Sequence, residues 1–234
     1  MDTRFPTIAP GRIHRWGGAT LIVIPRAALQ SASPHPPPLS PAERYIHRGL
    51  PPWPQAEWVA PAAARQAPGR RSLAAPVTEV EILPHLDGSP HVVVSGSPAP
   101  ALNASNSHTA AALAPDPVGV DLCETASAPA VRRAAGRVLT AEERSHTDTG
   151  RPDDLAASWA LKESAVKADR NSVFTDAPRH ITTLGLQPPA LSGPRRAMLW
   201  QTEGATGGAV LALVLTHRSR PPSIPAAHCP DPAG

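Results

Sequence analysis

The sequence predicts a mixed α/β or α+β protein, and three observations carry that prediction. Short apolar runs with strand character recur on both sides of one uninterrupted helical stretch, Leu155–Ala168, which holds no Gly or Pro. Val80 and Ile82 alternate with Glu79 and Glu81, the period-two pattern of a strand with one buried face. Proline divides the chain: 20 of the 31 prolines fall in residues 1–117, six in 118–220 and five in the last 14 residues. An N-terminal lobe over 1–117, a C-terminal lobe over 118–220 and a disordered tail over 221–234 are therefore expected.

In chain order, strands are predicted at Ala19–Ile24, Val77–Leu83 and His91–Ser95. A helix opens at Ser40-Pro41-Ala42-Glu43, where Ser is placed to cap, Pro takes the first helical position and Glu the third. Pro61 and Pro68 interrupt any second helix around Glu57–Leu73, because each removes a backbone donor and clashes with the preceding turn. Val118–Leu122 is a short apolar strand carrying one acid, Asp121, and Pro129–Leu139 is helical. Thr140 with Glu143 three residues on is a capping box. Asp153 and Asp154 then open the helix over Leu155–Ala168, and strands follow at His180–Leu186, Ala197–Gln201 and Ala209–Thr216. No internal repeat is visible by residue identity.

Composition narrows the function. No run of about 18 apolar residues exists, and the N-terminus lacks the continuous apolar core of a secretion signal, so a soluble cytoplasmic protein is expected without membrane partners. Cys123 and Cys229 are too few for a disulfide framework. The net charge is +3, the 20 arginines are scattered and aromatic residues make up 3%, which argues against a nucleic-acid partner.

The chain has only two lysines, Lys162 and Lys167, and both lie on the best helix. Trp159, Glu163 and Lys167 share a face at i, i+4, i+8, while Lys162 lies about 100° around from Glu163. By spacing alone, Glu163 and Lys167 are either an ordinary surface pair or half of a phosphate or metal site. The second acid of such a site is Asp121, since a carboxylate inside an apolar strand is costly unless paired, metal-bound or capping a turn. Strand alternation puts Cys123 on the face of Asp121 and Glu124 on the other. Two carboxylates from different elements make a hard-oxygen Mg²⁺ site, for which a carboxylate gap of about 4–5 Å is expected.

Three segments then resemble the 4′-phosphopantetheinyl transferases. They are Gly119-Val120-Asp121-Leu122-Cys123-Glu124, Arg137-Val138-Leu139-Thr140-Ala141-Glu142-Glu143 and Trp159-Ala160-Leu161-Lys162-Glu163-Ser164-Ala165-Val166-Lys167. The family pattern is G-[VI]-D followed about forty residues later by W-x-x-K-E-[SA]-x-x-K. Asp87-Gly88-Ser89-Pro90, Asn103-Ala104-Ser105-Asn106-Ser107-His108 and Leu39-Ser40-Pro41-Ala42-Glu43-Arg44 are similar to further segments of the two-lobed, surfactin-synthetase-activating subgroup. Cys123 stands where the family's second acid is usual, with Glu124 one residue later, and Ser89 stands where Lys or Arg is usual.

The resemblance implies an α+β fold of two similar lobes, each a small, mostly antiparallel sheet packed on a long helix, with the active site in the cleft. It implies Mg²⁺-dependent transfer of the phosphopantetheine arm of coenzyme A to a serine of an acyl or peptidyl carrier protein, releasing adenosine 3′,5′-bisphosphate. Such carriers serve fatty-acid, polyketide or nonribosomal peptide synthesis, and the enzyme is expected to be a monomer. Asp121, Glu163 and Glu124 would hold the metal, and Glu163 or a metal-bound water would be the general base. Lys167 and Lys162 would meet phosphate, and Ser107, His108, Arg44 and Arg65, with Arg48, would contact coenzyme A. A degenerate homologue that binds coenzyme A or a carrier without turnover is the alternative.

Overall fold

A computed structural model describes residues 4–24, 39–48, 70–71, 73, 80–84, 90–94, 101–104, 109–147, 150–170, 177–203 and 207–217. The first half holds β1 (Ile13–Trp16), β2 (Ala19–Ile24), α1 (Pro41–Arg48), β3 (Val80–Pro84), β4 (Pro90–Val94), β5 (Ala101–Ala104) and β6 (Thr109–Ala114). The second holds β7 (Val118–Glu124), a 3₁₀ turn at Thr125–Ser127, α2 (Ala128–Val138), α3 (Ala141–His146), α4 (Pro152–Ala168) and α5 (Ala177–His180). It ends with β8 (Thr183–Leu186), β9 (Pro189–Leu191), β10 (Arg195–Glu203) and β11 (Gly208–Thr216). The architecture is α+β, with small antiparallel sheets, as expected.

β1 and β2 form a hairpin whose two loop residues, Gly17 and Gly18, both have positive φ (59° and 90°), a backbone that suits glycine and matches the strand twist. The four-stranded sheet runs β1-β2-β6-β5 and the three-stranded sheet β10-β11-β7. The order β2-β6-β5 in the first sheet matches β7-β11-β10 in the second, and a two-stranded hairpin accompanies each, β3-β4 and β8-β9. Residue identity conceals this repetition.

The three-stranded sheet is buried on both faces. Val210, Ala212 and Val214 of β11 pack with Leu155, Leu161 and Ala165 of α4. Ala209, Leu211, Leu213 and Leu215 pack instead with Leu21, Val23, Ala110 and Ala112 of the four-stranded sheet. That double burial explains why β11 reads as a continuous apolar run rather than an alternating one. α4 is itself buried on nearly all sides, from Asp154 to Ala168, and starts with Pro152 and two acids in its first turn.

The N-terminal segment crosses the expected lobe boundary. Thr7 bridges Gln201 in parallel, Ile8 N donates to Gln201 O (2.9 Å), and Gln201 N donates to Pro6 O (2.8 Å), so residues 6–8 extend the edge at β10. Arg4 pairs with the buried Asp154 of α4.

Several sequence expectations shift. The strand expected over His180–Leu186 begins only at Thr183, because Ala177–His180 is the helical turn α5. β1, β5, β6 and β9 are strands beyond those the sequence predicts. Of the stretch Glu57–Leu73, where Pro61 and Pro68 are expected to interrupt any helix, Arg70, Arg71 and Leu73 are helical and the remainder lies outside the described residues, as do Ser89 and the tail over 221–234.

Candidate active site

β7 and α4 build the site by approaching unusually closely. A Cβ on Gly119 would lie 1.8 Å from Ser164 O and 2.7 Å from Ala168 N, so only glycine lets the helix backbone rest on the strand there. Ser164 Oγ donates to Ala212 O at 3.0 Å and fixes the helix on the neighbouring strand β11. Trp159 packs with Ala135, Val138 and Leu139 and holds α2 and the residue after it against α4.

With α4 so placed, three predicted residues meet. Val118, Val120 and Leu122 of β7 turn toward the other sheet, which leaves Gly119, Asp121 and Cys123 facing α4. Lys167 Nζ donates to Asp121 Oδ1 at 2.7 Å, lies 3.1 Å from Glu163 Oε2 and reaches Val120 O at 3.5 Å. The Glu163 and Lys167 side chains are 19% and 18% exposed against 6% for Asp121, so the cluster opens to water on the helix side.

The electrostatics follow from burial. Desolvation pushes the Asp121 carboxyl up to about 7; Lys167 pulls it down, and the nearby Glu163 carboxylate adds to the rise. Burial alone would lower Lys167, but Asp121 and Glu163 outweigh it and hold the ammonium above the ordinary lysine range. The Cys123 thiol is pushed up to about 12, first by burial and then by Asp121, Glu163 and Glu124, so it stays protonated at neutral pH and is a poor metal ligand.

The other predicted residues are placed differently. Lys162 is corrected from a phosphate contact to a buried structural cation. It is 0% exposed, and its three N–H groups go to Pro178 O (2.8 Å), Ile181 O and the Glu143 carboxylate. Burial holds it below the ordinary lysine range, with Glu143 pulling the other way. Glu143 is the residue that sequence reasoning missed in part. Its capping box is present, with Thr140 N donating to Glu143 Oε2 (2.7 Å) and Glu143 N to Thr140 Oγ1 (3.2 Å). The same carboxylate also accepts from Thr183 N and pairs with Lys162.

The first half repeats that device. Ser40 and Glu43 form a capping box, Ile82 N donates to Glu43 Oε1 (2.8 Å), and Arg70 pairs with the buried carboxylate. Arg44, next to Glu43, is on the exposed surface of α1 and joins none of the contacts at the cluster. Ser107, His108 and Arg65, and the Arg48 side chain, lie outside the described residues.

Glu124 stands at the N-cap position of the 3₁₀ turn at the end of β7, without a side-chain capping bond, and is half-buried. Among the described residues, no group of three or more His, Cys, Asp or Glu is gathered as a metal cage. Asp121 and Glu163 nonetheless fit a hard divalent cation. Their carboxylate oxygens converge on one partly buried position now held by an ammonium, and a cation with two protein ligands draws the rest of its shell from water and phosphate oxygens.

Among the described residues, no helix is long and apolar enough to cross a membrane. No curated protein matches the chain. Residues 117–214 match the family model of the 4′-phosphopantetheinyl transferase superfamily, a span that runs from the start of β7 through α4 to β11. The chain thus carries a 4′-phosphopantetheinyl transferase superfamily domain, and Asp121, Glu163 and Lys167 all lie within it.

Proposed function

We propose that the protein transfers the phosphopantetheine arm of coenzyme A to a serine of an acyl or peptidyl carrier protein, with Mg²⁺. The observation that carries this reading is the convergence of Asp121 and Glu163 on Lys167 inside the matched span. Asp121 and Glu163 would hold the metal, which when bound would offset the charge of the coenzyme A pyrophosphate. Lys167, on the open side, would meet a phosphate oxygen and stabilise charge as the serine oxygen bonds to the phosphorus nearer the pantetheine. The bond from that phosphorus to the bridging oxygen breaks, and adenosine 3′,5′-bisphosphate leaves with the electron pair. Glu163, the more exposed of the two carboxylates, or a metal-bound water would take the serine proton.

The repeated sheet order and the paired capping boxes support a chain of two similar lobes, 1–117 and 118–220, of the surfactin-synthetase-activating subgroup. One chain then supplies both sides of the cleft and works as a monomer. Ser107, His108 and Arg65 remain candidates for coenzyme A contacts, and Arg44 and Arg48 for more peripheral ones.

The test is mass spectrometry of an apo carrier protein incubated with coenzyme A, Mg²⁺ and the full chain. The carrier should gain the mass of one phosphopantetheine arm, and Asp121→Ala or Glu163→Ala should abolish the gain. No gain across fatty-acid, polyketide and peptide carriers, from folded protein, overturns the reading. Cys123 in place of the acid usual in the family favours a second reading in which coenzyme A binds without turnover. Calorimetric binding without any mass gain would select it.

A further inference from the structure

We propose that Lys167 is an internal counterion that a divalent cation must displace, so that metal arrival and release of the Lys167 ammonium are one exchange event. The inference rests on the metal reading of the site given above and adds a property of this chain's own residues. Nζ lies 2.7 Å from Asp121 Oδ1 and 3.1 Å from Glu163 Oε2, which places it between the two carboxylates. A divalent cation shared by both carboxylates takes oxygens at about 2.1 Å and needs that same space. An ammonium and a dication cannot both remain there at such distances.

The frame does not yield to make room. Gly119 against Ser164 O and the Ser164 Oγ bond to Ala212 O tie α4 to β7 and β11, so the carboxylates cannot simply spread apart. The lysine can move. Lys167 is in the last turn of α4 and its side chain is 18% exposed, so its four-carbon stem has a path to water. Lys162 cannot take the same part, because it is 0% exposed and its three N–H groups are engaged elsewhere. Displacement delivers an ammonium to the mouth of the site when the cation is in place. Cation and anion binding are thereby linked, and the linkage is reciprocal.

The composition makes the event observable, since Lys162 and Lys167 are the only lysines. Full-length protein labelled with ¹⁵N at lysine Nζ gives two ammonium signals, and Lys167→Met assigns them by removing one. On titration with Mg²⁺ alone, without coenzyme A or carrier, the Lys167 signal should move to a water-exposed position with faster proton exchange, while the Lys162 signal stays. In parallel, Mn²⁺ binding followed by electron paramagnetic resonance should be about tenfold tighter or more in Lys167→Met and Lys167→Gln, because no ion pair has to be broken. Asp121→Asn should lose the binding.

If the wild type binds Mn²⁺, Asp121→Asn abolishes it, and the folded Lys167 variants bind no tighter, the exchange is wrong and the metal reading stands. A Lys167 signal that does not move at saturating Mg²⁺ overturns the exchange in the same way, without any variant. If neither the wild type nor the Lys167 variants bind, the metal reading falls and the exchange with it.

Discussion

Gly119→Ala should damage stability and transfer together, through a single methyl group. The added Cβ would stand 1.8 Å from Ser164 O, with Ala168 N and Ser164 C at 2.7 and 2.8 Å, and all three are backbone atoms that no rotamer change can clear. Real Cβ atoms do not approach closer than 3.0 Å, so α4 must back away from β7 by about 1.2 Å at this point. That movement stretches the 2.7 Å contact from Lys167 to Asp121 and the 3.0 Å bond from Ser164 to Ala212. Overpacking costs about 1–3 kcal/mol and a weakened charge-assisted bond about 1 kcal/mol more, for a loss of about 2–4 kcal/mol. For a chain of this size each kcal/mol lowers Tm by about 2–4 °C, so the melt should drop by about 4–16 °C. A displacement of about 1 Å at the reacting groups costs about 100-fold in rate, and transfer should fall by that order. Thermal denaturation and a carrier-modification time course read the two effects. A variant that melts within about 1 °C of wild type and transfers at the wild-type rate would refute the close-approach argument.

The buried pair and the acid give further expectations. Lys162→Met leaves Glu143 buried without its cation and should cost about 3–5 kcal/mol in urea denaturation; adding Glu143→Gln should recover part of that loss, so that additive costs in the double variant would contradict a direct pair. Asp121 titrates near 3.8 when unfolded and near 7 when folded, so between these values the folded state holds the extra proton and this group's contribution to stability falls as pH rises. With chelator present, Asp121→Asn should therefore lose less stability than wild type on going from about pH 5 to about pH 8, and equal losses would contradict it. Thr140→Ala should cost about 1 kcal/mol by opening the capping box, read as a lower urea midpoint; an unchanged midpoint would show that the cap carries no stability.

Much of the second half was legible because its signals are local. Val118–Leu122 declared itself as a strand by its side chains, Thr140 and Glu143 by capping chemistry, and Leu155–Ala168 by the absence of breakers. Asp121 stood out because a carboxylate in an apolar strand needs a reason. What stayed hidden depends on distant partners. β6 reads Thr-Ala-Ala-Ala-Leu-Ala, a helix-favouring composition, yet Ala110, Ala112 and Ala114 are strand residues whose small size suits the packed space between the two sheets.

His180 ends the turn α5 instead of opening a strand, because Pro178 O inside that turn and Ile181 O just after it are drawn to the buried Lys162 of α4, a contact with no local sequence signal. For Lys162 the family resemblance implies a phosphate contact, whereas helical spacing gives only its angle from Glu163 and no depth; the fold shows which of the two adjacent positions faces inward. The Gly17-Gly18 hairpin was in principle readable from its glycines, whereas the pairing of residues 6–8 with β10 joins positions nearly the whole chain apart and leaves no local trace.

The central claim is that this chain splits coenzyme A by moving its arm onto a carrier serine. Adenosine 3′,5′-bisphosphate released and carrier modified should therefore be counted in the same reaction. The account predicts one nucleotide released per phosphopantetheine attached, with both lost in Asp121→Ala. Nucleotide release without carrier modification, or modification that survives in Asp121→Ala, would contradict it.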